Sequence, residues 1–361
     1  MGGRTAGRRG TASLAAALAV SVLAASCSVG TRDRPTTSAA GLVSIGAGLR
    51  GPAGLRAAVY ATSLTSVSAL ALDTRGRLWV ATSSASKHAT DAVYVVGRAG
   101  ATPVRVIAHV RGPLGLLWHG GTLYVASIGR VDAFSGLRGD RFTRRVRILD
   151  GPVPDGWNNG LVWTPGGRIL MGVSTTCDDC IPRSRWAASI VSFRPDGSQL
   201  RRYATGIRDG FGLARYPAST TLLVSMNQRD DLGARTPGDW LGLVRRGEDW
   251  GFPACYGQGG AVCRGVPAPL AVLDPHAAAG GVGIVTGELG PSVGTAALVA
   301  EWARGKVVRV ALQAGGRASG VSTSTFLTGL TSPLPVLVDR RADTLFVGDW
   351  STGKVYAITR A

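Results

Sequence analysis

The stretch from Asn227 to Gly257 carries the side chains of this chain that are best suited to binding a metal ion. It follows a strand-like run, and the candidate ligands within it are the amide of Asn227 and the carboxylates of Asp230, Asp231 and Asp239. Such oxygen ligands, together with backbone carbonyls, are what a hard cation such as calcium prefers. Because long polar loops between strands are often functional, the stretch predicts a calcium site. An ordinary solvated surface loop is the alternative that spacing alone leaves open.

The cysteines predict disulfide bonds and an oxidising compartment. Of the five cysteines, four form two close pairs, Cys177 with Cys180 and Cys255 with Cys263. An even number of paired cysteines is typical of exported proteins. A zinc site is the alternative, but the second pair is widely spaced and no histidine is near either pair in the sequence. We therefore expect two local disulfides.

The N-terminus has the features of a bacterial export signal. Arg4, Arg8 and Arg9 precede an apolar run, Leu14–Ala25, which is too short to span a bilayer comfortably. A small residue and then Cys27 follow this run, as in lipoprotein signal peptides.

This pattern predicts a signal peptide over residues 1–26, a lipidated Cys27 and a flexible tether over residues 27–51. The leucine expected three positions before a lipidated cysteine lies one residue earlier, at Leu23. An ordinary signal peptide with an incidental cysteine is therefore the alternative. The prediction implies an exported protein that is lipid-anchored at the outer face of the cytoplasmic membrane, or otherwise secreted.

The chain is strongly basic, with a formal net charge of +18. Its arginines are scattered between predicted strands, as at Arg201, Arg202, Arg208 and Arg215, and no basic helix or base-stacking platform is visible. The charge therefore predicts no nucleic-acid partner. Attraction to anionic lipids or cell-wall polymers is a weaker alternative.

After the tether, the sequence repeats a pair of apolar strands joined by a turn. The clear copies are Ser68–Ala81, Leu114–Ala126, Gly160–Val173, Gly212–Ser225 and Leu334–Gly348. A further copy around Leu298–Leu312 is degraded. Repeats about 45 to 50 residues apart that each supply several short strands are typical of propeller blades. The pattern predicts an all-β fold, a six-bladed β-propeller, with a seven-bladed ring as the alternative.

The two ends of the repeat region predict how the ring closes. Ala57–Ala61 precedes the first repeat and resembles a strand, and Val355–Ile358 ends the last repeat. Pairing of the N-terminal strand into the last blade would remove both free edges. We therefore expect residues 52–361 to form one propeller domain closed by an N-terminal strand.

Several motifs resemble the glucose and sorbosone dehydrogenase family. PDGS at 195–198, YATGIR at 203–208, NQRDDLG at 227–233 and DWGFPACYG at 249–257 occur in the family's order. Cys177–Cys180 also falls where sorbosone-type members keep a Cys-x-x-Cys motif. The resemblance implies a six-bladed quinoprotein that oxidises a sugar or sugar aldehyde with pyrroloquinoline quinone (PQQ) and calcium.

The resemblance also identifies a departure at the catalytic position. The family places a histidine base shortly before the inner strand of the third blade, and Gly156 occupies that position here. No histidine occurs between His119 and His276. Because the base takes a proton from the sugar hydroxyl while hydride passes to the quinone, Asp155 or Asp209 would have to replace it.

The residues that would bind the cofactor match the family only in part. Arg208 corresponds to the arginine that contacts the quinone, although Asp209 follows it where the family usually has asparagine. Arg304 and Lys306 lie in a shortened loop of the fifth blade, and Asp239 matches an acidic residue of the calcium loop. Because PQQ carries three carboxylates, the resemblance predicts weak binding by Arg208, Arg304 and Lys306.

Two functions therefore remain open. One is an exported PQQ-dependent oxidoreductase that acts on a sugar or a sugar aldehyde. The other is a catalytically impaired, lipid-anchored propeller that binds carbohydrate or serves as a scaffold. Gly156 favours the second function, whereas the retained Arg208, Asp230, Asp231 and Asp239 favour the first.

Lipidation of Cys27 is directly testable. Because a cleaved signal peptide cannot anchor the protein, the acyl chains would have to hold it at the membrane. Changing Cys27→Ser should move the protein from the membrane fraction into the medium, as measured by immunoblotting. Ser28→Ala is the matched control and should leave the protein in the membrane fraction. Retention of the C27S protein at the membrane would contradict lipid anchoring.

Overall fold

Apolar runs rich in Val, Leu, Ile and Ala form the strands of this protein, and glycines occupy many of the turns between them. A computed structural model describes residues 41–85, 88–151, 156–217, 219–313 and 322–361. Within these ranges there is no α-helix, and the short 3₁₀ turns are Gly233–Arg235, Ala261–Cys263 and Trp302–Arg304. No helix in these ranges is long and apolar enough to cross a membrane. The predicted signal peptide and Cys27 lie outside them.

The strands follow one another along the chain as the blades of a propeller. Three strands come first: β1 (Val43–Gly46), β2 (Leu49–Gly51) and β3 (Leu55–Ala61). Blade 1 contains β4 (Val67–Leu72), β5 (Leu78–Thr82), β6 (Asp91–Val96) and β7 (Val104–Val110). Blade 2 contains β8 (Gly115–His119), β9 (Thr122–Ser127), β10 (Arg130–Arg138) and β11 (Arg141–Asp150). Blade 3 contains β12 (Asn158–Trp163), β13 (Ile169–Val173), β14 (Ser189–Phe193) and β15 (Arg201–Thr205).

The remaining blades complete the ring. Blade 4 contains β16 (Gly210–Arg215), β17 (Leu222–Met226), β18 (Gly238–Val244) and β19 (Ala271–Pro275). Blade 5 contains β20 (Ala279–Thr286), β21 (Thr295–Glu301), β22 (Lys306–Ala311) and β23 (Thr323–Leu327). Blade 6 contains β24 (Pro333–Asp339), β25 (Thr344–Asp349), β26 (Lys354–Arg360) and, as its outer strand, β3. Each inner strand contacts the next, and β24 contacts β4, so the prediction of an all-β, six-bladed propeller is confirmed.

The outer strand of blade 6 comes from the N-terminal side of the ring. β3 pairs antiparallel with β26, with Ala61 opposite Val355 and Ala57 opposite Ile358. This pairing occupies an edge of β26 that would otherwise present unpaired backbone groups.

The tether predicted over residues 27–51 ends earlier than the sequence indicated. Strands β1 and β2 form a hairpin, and Arg50 exchanges two backbone hydrogen bonds of 3.0 Å with Thr328. Ile45 and Leu49 are buried in an apolar cluster that they share with blades 5 and 6. Burial of these two side chains holds the hairpin on the propeller, which the small and polar residues around them did not reveal.

The repeat of blade 5 was assigned to the wrong strands. The degraded copy at Leu298–Leu312 covers β21 and β22, whereas the inner strand β20 comes earlier in the chain. β20 reads AGGVGIVT, and its glycines weaken the apolar pattern by which a strand is recognised.

Glycine allows the inner strands to approach one another closely around the ring axis. A Cβ atom on Gly160 of β12 would lie 2.8 Å from the carbonyl oxygen of Phe211 in β16. A Cβ atom on Gly280 of β20 would lie 2.7 Å from the carbonyl oxygen of Leu334 in β24. Neither site has room for a larger residue without a shift of the neighbouring backbone.

Gly160→Ala should therefore lower the free energy of unfolding by about 1 to 3 kcal/mol, the usual cost of overpacking. Gly166→Ala, in the turn after the same strand, is the matched control because a Cβ atom there meets nothing within 4 Å. The control should change stability by less than about 0.5 kcal/mol. Denaturant unfolding of both variants measures the difference, and equal stabilities would contradict the close-packing argument.

Candidate functional site

Asp209 lies at the centre of a polar network at one end of the ring. Its Oδ1 accepts a hydrogen bond of 2.7 Å from Asn159 Nδ2, and its Oδ2 accepts one of 3.0 Å from Asn227 Nδ2. Asn159 belongs to β12, Asp209 directly precedes β16 and Asn227 directly follows β17. The fold therefore brings together side chains that are distant in the sequence. We call this end of the ring, where the inner strands begin, the mouth.

Buried polar atoms of this network lack partners. Asn159 Oδ1, Asn227 Oδ1 and Arg208 Nε make no hydrogen bond within the described residues. A buried polar group without a partner costs roughly 1 to 3 kcal/mol. Acceptors and a donor in one network suit a ligand with hydroxyl groups, since each hydroxyl both donates and accepts.

Arg208, predicted to contact the quinone, is engaged by groups of the chain itself. Its guanidinium pairs with the carboxylate of Asp178 and donates a hydrogen bond of 3.2 Å to the carbonyl oxygen of Asn227. Asp178 also accepts a hydrogen bond of 3.2 Å from the backbone N–H of Asp230. Arg208 and Asp178 thus join the Asp209 network to the loop that follows β17.

Both predicted disulfides are confirmed. The Cα atoms of Cys177 and Cys180 are 6.0 Å apart, and those of Cys255 and Cys263 are 5.1 Å apart. The first disulfide closes the loop that carries Asp178, so it restrains the carboxylate that pairs with the predicted quinone ligand.

Arg229 is a buried cation of the mouth that the sequence analysis did not single out. It forms two hydrogen bonds of 2.7 Å with the carboxylate of Asp231 and an ion pair of 2.9 Å with Asp179. Its guanidinium carbon lies 4.7 Å from the centre of the Tyr256 ring. Asp231, predicted as a metal ligand, therefore pairs with Arg229. The neighbouring opposite charges in NQRDDLG were the signal that could have identified this pair.

Asp239, another predicted metal ligand, is buried on β18 rather than exposed on a loop. Its Oδ1 accepts a hydrogen bond of 2.8 Å from the backbone N–H of Gln228, and its Oδ2 accepts one of 3.0 Å from the backbone N–H of Ala279. Burial raises the pKa of Asp239 to about 7, although the two backbone donors favour the charged form. Neither β18 within 227–257 nor the link that Asp239 forms between blade 4 and β20 was predicted.

Asp230 contacts a histidine that is remote in the sequence. His276 Nδ1 lies 2.9 Å from Asp230 Oδ1, and His276 Nε2 lies 3.0 Å from the carbonyl oxygen of Gly233. The hydrogen bond to Gly233, followed by the one to Asp230, raises the pKa of His276. His276 was not predicted as a site residue, because no motif connects it to the Asp230 loop.

The predicted calcium ligands do not assemble into a metal site. Asn227 bonds to Asp209, and the carboxylates of Asp230, Asp231 and Asp239 each face a different donor of the chain. Among the described residues, no three His, Cys, Asp or Glu side chains are grouped so as to hold a metal ion. Closeness in sequence was misleading here, because β18 carries Asp239 away from the exposed part of the loop.

Lys306 and Arg304, the other predicted quinone ligands, also have partners. Lys306 Nζ lies 2.7 Å from Asp274 Oδ2 and 3.3 Å from Glu301 Oε2. Burial raises the pKa of Glu301. Arg304 donates a hydrogen bond to the carbonyl oxygen of Pro275.

The mouth does not fit a cofactor with three carboxylates. The cations found near the Asp209 network or predicted to contact the quinone are Arg208, Arg229, Arg304 and Lys306, and each already contacts a group of the chain. Arg208, Arg229 and Lys306 are paired with carboxylates. A trianion would have to break these ion pairs, and breaking a partly buried ion pair is costly.

Of the two predicted catalytic carboxylates, only Asp209 lies within the described residues. Both oxygens of Asp209 already accept amide hydrogen bonds, and Asp155 lies outside the described residues. Gly156 is buried, and its carbonyl oxygen accepts a hydrogen bond of 3.3 Å from Gly129. The position that corresponds to the family's histidine therefore carries no titratable side chain.

Half-buried tryptophans lie at the same end of the ring. Trp157 precedes β12, Trp302 follows β21 and Trp350 follows β25. The rings of Trp302 and Trp350 have centroids 5.7 Å apart and planes at 70°, and Trp350 Nε1 donates to the carbonyl oxygen of Ser83 at 2.8 Å. Indole rings combine a flat apolar face with a polar edge. These tryptophans were not predicted as site residues, although their shared position at strand ends was a usable signal.

Solved structures match this chain over most of its length, whereas no protein-family model and no curated protein matches it. The holo PQQ domain of pyranose dehydrogenase from Coprinopsis cinerea has a TM-score of 0.71 and 18% identity, covering 86% of this chain and 97% of that one. PQQ-bound aldose sugar dehydrogenase from Streptomyces coelicolor has a TM-score of 0.68 and 19% identity, covering 86% and 99%. A carbohydrate-active enzyme of family AA12 from Trichoderma reesei has a TM-score of 0.71 and 17% identity, covering 86% and 97%.

The chain thus has the six-bladed fold of PQQ-dependent sugar dehydrogenases. The resemblance predicted from the sequence motifs is confirmed at the level of the fold. Because one fold supports several activities, the function has to be argued from the residues of the mouth.

Asp239 should make stability depend on pH. Its carboxyl keeps a proton up to about pH 7 in the folded state but loses it near pH 4 when unfolded, so the free energy of unfolding falls as pH rises between these values. Asp239→Asn should remove this fall, which is on the order of 3 kcal/mol, as measured by denaturant unfolding at pH 5 and pH 8.

Asp196→Asn is the matched control, because Asp196 lies in an exposed turn and hydrogen bonds with Ser198 lower its pKa. It should retain the wild-type pH dependence between pH 5 and pH 8. The same dependence in the D239N protein would contradict the assignment of this titration to Asp239.

Proposed function

We propose that the mouth of this propeller binds a neutral sugar or a related polyol. The observation that carries the proposal is the Asp209 network, in which Asn159 Oδ1, Asn227 Oδ1 and Arg208 Nε are buried without a partner among the described residues. Sugar hydroxyls supply both the donors and the acceptors that these atoms require.

The aromatic residues of the mouth support the same ligand class. Trp157, Trp302 and Trp350 offer indole surface at the end of the ring where the polar network lies. Small-molecule sites typically combine aromatic walls with a few polar groups that fix the orientation of the ligand. A sugar ring, with an apolar face and polar edges, meets both requirements.

We propose that the chain serves mainly as a sugar-binding protein. Gly156 supplies no proton acceptor, and Arg208 and Lys306 are paired with carboxylates. Because these cations are already paired, an anionic cofactor would have to break ion pairs, whereas a neutral sugar would not.

Oxidation of the bound sugar is the second candidate, and the fold is the observation that favours it. The similar pyranose and aldose sugar dehydrogenases are holo or PQQ-bound proteins. Arg208 also occupies the position that corresponds to the quinone-contacting arginine of the family. In this second function the chain is a PQQ-dependent sugar oxidoreductase, with calcium as the further cofactor.

We also propose that the protein is exported and held at the outer face of the cytoplasmic membrane by a lipid on Cys27. The two disulfides support an oxidising compartment. A sugar-binding propeller in this position would meet sugars outside the cytoplasm.

Sugar binding is tested by calorimetric titration of the full chain with a panel of aldoses and short oligosaccharides. Asp209→Asn keeps the shape of the side chain but replaces one of its two acceptor oxygens with a donor, so either Asn159 or Asn227 loses the partner that orients its amide. Affinity should therefore fall at least about 10-fold. Asp196→Asn, remote from the mouth, is the matched control and should bind as the wild type does. The proposal is contradicted if the wild type binds none of the tested sugars, or if D209N binds a sugar with the same affinity as the wild type.

Oxidation is tested separately by dye reduction with the same sugars, in the presence of added calcium and PQQ. The binding function predicts no turnover by the wild type. If the cofactor site is nevertheless intact, Gly156→His should raise turnover by about 10² to 10⁴, the usual contribution of a general base. Rapid wild-type turnover would favour the oxidoreductase over the binding protein.

A further inference from the structure

A cavity lies between blades 3 and 4, at the end of the ring opposite the mouth. Its volume of about 750 Å³ is within the range of small-molecule sites. It is lined by the turn after β12, the start of β15, the end of β16 and the residues after β18. Because the Asp209 network lies where β12 and β16 begin, the two sites share no residue.

Arginines form most of the polar lining of this cavity, and none of the described residues that line it carries a carboxylate. The arginines are Arg168, Arg201, Arg202, Arg215, Arg245 and Arg246. Among the described residues, only Arg245 of this set has a carboxylate partner, Glu248 at 3.3 Å. Apart from Arg245, the arginines of the cavity therefore carry positive charge that no carboxylate of the described residues pairs with.

Two of these arginines are held in place by neutral groups. Arg168 donates hydrogen bonds of 2.7 Å to Ser192 Oγ and to the carbonyl oxygen of Gln199. Arg215 donates a hydrogen bond of 3.1 Å to the carbonyl oxygen of Trp163. Carbonyl and hydroxyl acceptors orient a guanidinium without cancelling its charge, so both cations are pre-positioned for an anion.

Like charges around Arg168 are close enough to affect one another. Burial, followed by the charges of Arg201, Arg194 and Arg246, lowers the pKa of Arg168. Repulsion of this kind destabilises the folded protein, and a bound anion would relieve it.

Apolar and hydroxyl groups complete the lining. Leu170 and Leu222 are buried beneath the arginines, and Thr220, Thr221 and Tyr203 add polar groups to the wall. This combination suits a ligand that has a ring or an apolar body in addition to its anionic groups.

We propose that this cavity binds a phosphate ester that carries more than one negative charge. The planar guanidinium matches phosphate oxygens in a bidentate arrangement, which explains the use of arginine rather than lysine. Arg168 and Arg215 are the fixed contacts, and the exposed Arg201, Arg202 and Arg246 are the groups that close on the phosphates. A free phosphorylated sugar and the headgroup of an anionic lipid share this chemistry.

The test titrates the full chain with glucose 1,6-bisphosphate and, separately, measures co-sedimentation with phosphatidylglycerol–phosphatidylcholine vesicles. The triple variant R201Q/R202Q/R246Q should bind the responding probe at least about 100-fold more weakly, since each lost charge-assisted hydrogen bond costs roughly 10-fold and at least two should be lost. R138Q/R141Q/R144Q is the matched control, because these arginines are exposed on the outer hairpin of blade 2 and the charge change is the same. The control should bind within about 3-fold of the wild type.

The outcomes separate the ligand sources. Binding of the bisphosphate that is weakened in R201Q/R202Q/R246Q but not in the control supports a free phosphorylated sugar as the ligand. If only vesicle binding is weakened in this way, the ligand is a lipid headgroup. No binding of either probe, or equal losses in the two triple variants, overturns the proposal. Thermal unfolding checks that the variants are folded. If the triple variant is unfolded, R246Q alone replaces it, because Arg246 lies in an exposed turn. R246Q should bind the probe about 10-fold more weakly than the wild type.

Discussion

The close approach of the inner strands around the ring axis is the constraint on which the rest of the structure depends. Gly160 and Gly280 allow backbones of neighbouring blades to approach more closely than a side chain would permit. Residues at the ends of these strands are thereby forced together at the mouth, which is why Asn159 and Asp209 meet although 50 residues separate them. The polar site is thus a consequence of the packing of glycine and small apolar residues.

Ion pairing determines what this mouth can bind. The loop after β17 brings Asp230 and Asp231 to the mouth, but Asp230 already contacts His276 and Asp231 is already paired with Arg229. The disulfide loop supplies Asp178 to Arg208 in the same way. A site whose charges are satisfied internally favours a neutral polar ligand over either a cation or an anion, because such a ligand breaks no ion pair.

The two sites differ in how their cations are paired, although the chain as a whole is strongly basic. Arg208 and Lys306 at the mouth are paired with carboxylates, whereas Arg168 and Arg215 in the cavity between blades 3 and 4 are held by neutral groups. A propeller separates its two ends by the length of its strands, so each end can carry its own electrostatic environment. The high net charge is therefore locally organised rather than spread evenly.

The amino-acid sequence by itself determined the repeated strand pairs, the six-bladed ring and both disulfides, because these follow from local strand and turn patterns and from cysteine spacing. Only the tertiary structure decided the partners of the polar residues. Asp239 proved to be a buried link to Ala279, and Asp230 a partner of His276, since the donor that reaches a carboxylate comes from a segment remote in the chain. The inner strand β20 and the hairpin of β1 and β2 were likewise decided by packing, because their own residues carry too weak a pattern to specify them.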